Sequence, residues 1–156
     1  MKHDIKHLHE QLTANLNDRE MGKVLCSIAP AAGESGRTDE ECICAFLSKT
    51  YELAISPAAL KPLSRNDAIF IVSELLLGPV WGPRPKDRTD ANNAADRFVA
   101  QFNEAARFFS TYTYKINRKN GTCSASGAAL LESSFDMGIF AIDSNTVGIL
   151  WMSDED

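Results

Sequence analysis

The 156-residue sequence contains no lysine or arginine after Lys119. Its three histidines, His3, His7 and His9, all lie at one end. No stretch approaches the eighteen or so apolar residues of a membrane span; the longest apolar run, Ala68 to Leu77, is broken by Ser73 and Glu74. Each shortage excludes something. Histidines gathered at one terminus argue against a Ser-His-Asp or Cys-His catalytic arrangement. Four cysteines (Cys26, Cys42, Cys44, Cys123) include no Cys-x-x-Cys pair, so zinc-ribbon and dithiol redox sites are not expected. On a helix, Cys42 and Cys44 would diverge by about 200°, and both read as buried small hydrophobes. His3 and His7 stand at i,i+4, but a metal site needs a third and usually a fourth ligand. No metal and no cofactor are expected. Gly33-Glu34-Ser35-Gly36 lacks the spacing of a nucleophile elbow, and Gly22-Lys23 lacks a glycine-rich loop ahead of it.

What is present resembles an ordinary folded chain. Hydrophobic residues make up 44% and charged residues 24%, with a formal net charge of −5. At this length a single domain over 1–156 is expected, and disulfides are not needed to fold it. The N-terminus, Met1-Lys2-His3-Asp4-Ile5-Lys6-His7, lacks a signal-peptide core, so a reducing cytoplasm with free thiols is expected. The acidic balance argues against a nucleic-acid partner, and no membrane partner is expected.

Periodicity predicts an α+β chain, helical over 1–109 and mainly strand over 110–153. About five helices would pack with a C-terminal antiparallel sheet of three to four strands. Ile5, Leu8, Leu12 and Leu16 form a first stripe, and Met21, Val24, Leu25 and Ile28 a second. Thr38-Asp39-Glu40-Glu41 reads as a capping box for a helix reaching about Ile55, where Ser56-Pro57 would stop it. A helix starting at Ser64–Asp67 is apolar nearly all round over Ala68 to Leu77, which marks it as the most buried element. Gly78-Pro79 ends it, and the Trp81–Arg88 loop alternates proline with basic residues. Asp90 would cap a last helix carrying Ala95, Phe98, Phe102, Ala105 or Ala106, and Phe109.

From Ser110 the period becomes two. Tyr112, Tyr114 and Ile116 alternate with polar residues, and Asn120-Gly121 signals a hairpin. Met137–Ile142 and Val147–Met152 read as two more strands around Asp143-Ser144-Asn145, while Ser124 to Ser133 carries neither period clearly. Both faces of this last hairpin are apolar, where one wet face is usual. Either other elements cover both sides, or part of one face waits for a partner. An exposed face would suit a homodimer as well.

Charge is the strongest signal. Residues 1–119 hold 16 basic and 15 acidic side chains, a net of +1. Residues 120–156 hold Glu132, Asp136, Asp143, Asp154, Glu155 and Asp156 with no base, a net of −6. Such a field steers a basic partner, and Trp151 beside it is of a type favoured as an interface anchor.

The stretch Ser134-Phe135-Asp136-Met137-Gly138-Ile139, a short turn, then Gly148-Ile149-Leu150-Trp151 and Asp154-Glu155-Asp156, resembles the ending of small bacterial immunity proteins. These accompany polymorphic toxins of contact-dependent growth inhibition and related competition systems. The resemblance spans residues 134–156 and implies a non-enzymatic, cytoplasmic inhibitor of one cognate toxin domain, such as a nuclease with a basic cleft. It implies Trp151, Asp154, Glu155 and Asp156, with Asp136 and Asp143, as partner-binding residues. Two other functions fit the residues: an adaptor or chaperone using the helical surface, and a small enzyme built on a carboxylate pair such as Asp136 and Asp143.

Overall fold

The computed structural model describes residues 23–31, 37–77, 88–117, 119–120, 122–127, 129–131 and 135–154, together with Lys6 and Glu10. Lys6 and Glu10 are helical and exposed. The Ile5 to Leu16 stripe, the three histidines, Gly22, the Gly33–Gly36 segment, the Trp81–Lys86 part of the proline-rich loop, and residues Glu155 and Asp156 lie outside the described residues.

Seven strands and three helices are present among the described residues. The strands are β1 (Lys23–Pro30), β2 (Lys61–Leu63), β3 (Arg107–Ser110), β4 (Tyr112–Asn117), β5 (Thr122–Gly127), β6 (Phe135–Ile142) and β7 (Thr146–Asp154). The helices are α1 (Asp39–Tyr51), α2 (Arg65–Leu77) and α3 (Arg88–Val99). Strands β1, β7, β6, β3 and β2, in that order, form one antiparallel sheet, and β4 and β5 form a separate two-stranded ribbon.

This corrects the expected architecture of about five helices with a sheet of three to four strands. The segments 23–30 and 107–109, assigned to helix by the sequence, are strands, and so is 61–63, which lies between two expected helices in the part read as helical. In β1, Val24, Leu25 and Ile28 fit a helical stripe as well as a strand half-buried on both faces, because an apolar residue then suits nearly every position. Pairing with β7 over eight residue pairs, Lys23↔Ser153 to Pro30↔Thr146, decides the matter. In β3 the adjacent Phe108 and Phe109 are both buried but enter opposite cores, which a strand permits and one helix face does not. The last helix therefore stops at Val99 instead of running on to Phe109, and it begins two residues before Asp90.

Local signals locate the helix ends where side chains satisfy the orphan amides. Thr38 accepts from the Glu41 amide while Glu41 accepts from the Thr38 amide, the anticipated capping box. Helix α1 ends at Tyr51, earlier than expected, because Glu52 takes a left-handed conformation (φ 56°) and its amide closes the last turn. Ser56 instead caps a single 3-10 turn, Pro57–Ala59. Ser64 accepts from the Asp67 amide at the head of α2. Residues Ile71 to Leu76 of that helix are buried without interruption. Ser73 turns its hydroxyl back to the Ile69 carbonyl, and Glu74 accepts from Arg88 of α3 at 3.1 Å.

Both faces of the β6–β7 hairpin are covered. On one side Met137, Ile139, Ala141, Leu150 and Met152 pack with α2 and α3 through Ala68, Ile71, Val72, Leu75, Ala95 and Phe98. On the other, Phe140, Ile142, Val147, Ile149 and Trp151 pack with Ile43, Phe46 and Leu47 of α1, with Tyr112, and with Leu130 from the segment that carried no clear period. Arg107 of β3 forks onto the Asp39 carboxylate, Nη2 to Oδ1 at 2.8 Å and Nε to Oδ2, and so ties α1 to the sheet.

Candidate functional site

The expected partner-binding residues lie along the β6–β7 hairpin, and the fold separates them. Trp151 stands in the middle of β7 between Leu25 of β1 and Gly138 of β6. It is fully buried. Its indole stacks on Phe140 (centroids 5.0 Å apart, planes 25° apart) and more loosely on Tyr112 (6.4 Å, 26°). The indole Nε1 is buried with no hydrogen-bond partner. Trp151 is thus a core side chain in this fold and presents no surface to a partner.

Asp136, at the start of β6, is also fully buried. Its Oδ1 accepts from the Tyr112 hydroxyl and its Oδ2 from the Leu131 amide, both at 2.7 Å. The first bond ties the ribbon to the sheet. The second ties down the chain at Leu131, next to Leu130, which closes the α1 side of the core. Burial, followed by the bond to the Asp136 carboxylate, drives the Tyr112 hydroxyl pKa well above its ordinary value. Beside it the Ser110 hydroxyl donates to the Gly138 carbonyl at 3.0 Å. Burial pushes the Tyr114 hydroxyl up to about 12. These tyrosines are hydrogen-bond donors at neutral pH, not bases.

Asp143, just beyond the other end of β6, is 5% exposed. Its Oδ1 accepts from the amides of Asn145 and Thr146, both at 2.8 Å, and closes the turn between β6 and β7. Its Oδ2 accepts from the Asn103 amide at 2.9 Å, joining that turn to the segment after α3. Burial works against the charge, but the three amides and nearby Arg107 outweigh it and hold the carboxyl below its ordinary value of 3.8. A carboxylate whose pKa is lowered by folding adds stability at pH values above its unfolded pKa, and that stability is lost as pH falls through the folded value. Asp143→Asn is therefore expected to cost about 2–3 kcal/mol at pH 7, through the loss of charge-assisted bonds. The gap to the native protein should narrow below about pH 4. Urea unfolding at a series of pH values measures this, and a gap independent of pH would contradict it.

Asp143 lies seven positions beyond Asp136 along extended chain, roughly 23 Å at about 3.3 Å per residue. They cannot act together on one bond, so the carboxylate-pair enzyme loses its pair. Asp154 ends β7 opposite Phe135; its side chain, like Glu155 and Asp156, lies outside the described residues. None of the four cysteines is in a disulfide, and all are partly buried, Cys42 and Cys44 less so than the sequence suggests. Burial pushes the Cys26 thiol up to about 12, so it is a poor nucleophile at neutral pH. No cluster of three or more metal-ligating side chains occurs among the described residues. No helix among them is long and apolar enough to cross a membrane.

Sequence reasoning singled out the two carboxylates but missed their partners. Ser110, Tyr112 and Gly138 belong to this buried polar cluster, and period-two alternation at Tyr112 was the one available signal.

The fold defines a class: an antiparallel five-stranded sheet with helices on both faces and an appended two-stranded ribbon. Comparison with family models, with curated proteins and with solved structures finds no match to the chain.

Proposed function

We propose that the chain is a non-enzymatic binding protein that neutralises a basic protein partner, in the manner of a cytoplasmic immunity protein held against a cognate toxin domain. The observation that carries this reading is charge placement: six acids and no base follow Lys119. With Asp136 and Asp143 committed to the interior, the remaining acid of this segment is Glu132 and the run Asp154-Glu155-Asp156. That run begins at Asp154, the last residue of β7, a strand paired on both sides. Its carboxylates would meet lysine and arginine in the partner's cleft, standing in for substrate phosphates. Trp151 supports β7 from within and is not part of the contact. A field of this kind raises association rates by about 10- to 1000-fold at low salt.

Co-purification with the product of the adjacent reading frame tests the class. The mechanism is tested by replacing Asp154, Glu155 and Asp156 together with Asn, Gln and Asn. Affinity at about 50 mM salt should fall at least tenfold, the difference should shrink near 500 mM, and the melting temperature should stay unchanged. Unchanged affinity at low salt would refute the acidic-end mechanism.

A further inference from the structure

The β4–β5 ribbon carries a charge opposite to that of the whole chain. Residues 112–127 hold Lys115, Arg118 and Lys119 and no acid, in a protein of net charge −5. Lys115 and Lys119 are exposed. Strand β5 pairs with β4 from Tyr112↔Gly127 to Asn117↔Thr122, and among the described residues these two strands make up the whole sheet. Residues Ser124, Ala125, Ser126 and Gly127 are all exposed. An antiparallel strand directs the backbone N–H and C=O groups of alternate residues away from its partner. Among the described residues no second strand pairs with these groups on β5.

Edge strands are commonly blunted by lysine, proline or a covering element. The run Thr122-Cys123-Ser124-Ala125-Ser126-Gly127 has no charge and no proline, and its side chains are small enough to leave the backbone open to approach. The inward face of the ribbon is anchored, since Tyr112 bonds Asp136 and Tyr114 bonds Gly138. The accepting edge is therefore held in extended form before anything binds, which lowers the entropic cost of adding a strand. A two-stranded ribbon is also the sheet that gains most from a third strand.

We propose that β5 is a strand-accepting edge for an extended acidic segment of a partner protein. The segment pairs its backbone with Thr122–Gly127 and sets carboxylates against Lys115 and Lys119. Backbone pairing supplies the docking, and Lys115 and Lys119 favour an acidic over a basic strand, while Glu74 and Asp67 of α2 act on the opposite, Cys123 face of the ribbon. This surface uses none of the residues of the acidic run that begins at Asp154 and does not depend on the function proposed above.

The test uses the full chain and two labelled octapeptides, one alternating valine with glutamate and one alternating valine with lysine. Fluorescence anisotropy should show saturable binding of the glutamate peptide only. The double variant Lys115→Glu, Lys119→Glu replaces exposed side chains and should leave the melting temperature unchanged while weakening that binding about tenfold. Amide hydrogen exchange should show new protection at 123–127 when the peptide is bound. Several outcomes would overturn the proposal: no binding of the glutamate peptide, equal binding of both peptides, or new protection at β1 or β2 instead of β5. Concentration-dependent protection of β5 without peptide would identify a second copy of the chain as the occupant. Binding of a single-stranded oligonucleotide that Lys115→Glu, Lys119→Glu abolishes would identify the ribbon as a nucleic-acid surface. Either result would also refute it.

Discussion

Trp151→Ala is expected to lower the stability of the isolated protein by about 3–5 kcal/mol, the range for truncating a fully buried large aromatic. For a chain of this size that is a fall in Tm of roughly 10–15 °C. The physical cause is the loss of the stack with Phe140 and Tyr112 and the cavity left behind α1. Thermal unfolding, with urea titration for the free energy, measures it. The result separates two roles that composition alone cannot: an interface anchor would leave the free protein's stability unaltered and weaken binding only. Trp151→Phe sharpens the test. It keeps an aromatic ring in the stack and removes a buried N–H that has no partner, so it should cost less than about 2 kcal/mol. Stability unchanged in Trp151→Ala would show that the indole is not in the core.

Gly138→Ala should be comparably damaging, by a different mechanism. A methyl group at Gly138 would lie against the Leu150 carbonyl oxygen, 2.6 Å from the Trp151 Cα and 2.7 Å from the indole Cε3. Two of these are backbone atoms of the adjacent strand, so β6 and β7 would have to part at the centre of the sheet. The expected cost is about 3 kcal/mol or more. Gly148→Ala is the internal comparison. There the nearest atom is the tip of the Phe102 ring at 2.8 Å, which can shift, and the cost should be about 1–2 kcal/mol. Equal losses in the two variants would contradict the packing of the indole over Gly138.

These variants bear on how much could be read from the residues. The capping box at Thr38, the buried helix from Arg65, and the two strands around Asp143 were legible because each depends on near neighbours. A hydroxyl three residues from an amide, or two short apolar runs on either side of Asp143-Ser144-Asn145, needs no knowledge of the rest of the chain. The strands β1 and β3 were not legible. Their apolar residues suit both periods, and the deciding partners, Thr146–Ser153 for β1 and Phe140–Ile142 for β3, are distant in sequence.

The candidate site divides in the same way. That residues 120–156 carry acid without base follows from composition, as does the opposite charge of the ribbon. Which acids reach solvent does not. Asp136 and Asp143 look like surface carboxylates in a one-dimensional reading. Each is interior because a distant group, the Tyr112 hydroxyl or the Asn103 amide, compensates its burial.

The apolar character of both faces of the β6–β7 hairpin is a property of its residues. Whether those faces are covered or left for a partner depends on where α1, α2, α3 and Leu130 come to rest. Short-range hydrogen bonding and side-chain period are local quantities, whereas burial is set by every other part of the chain at once. The capping box at Thr38, the turn at Asp143 and the net charge were therefore determined along the sequence, whereas the far ends of the helices and the inward or outward fate of Trp151 and the two carboxylates were settled by the packing of segments remote from them.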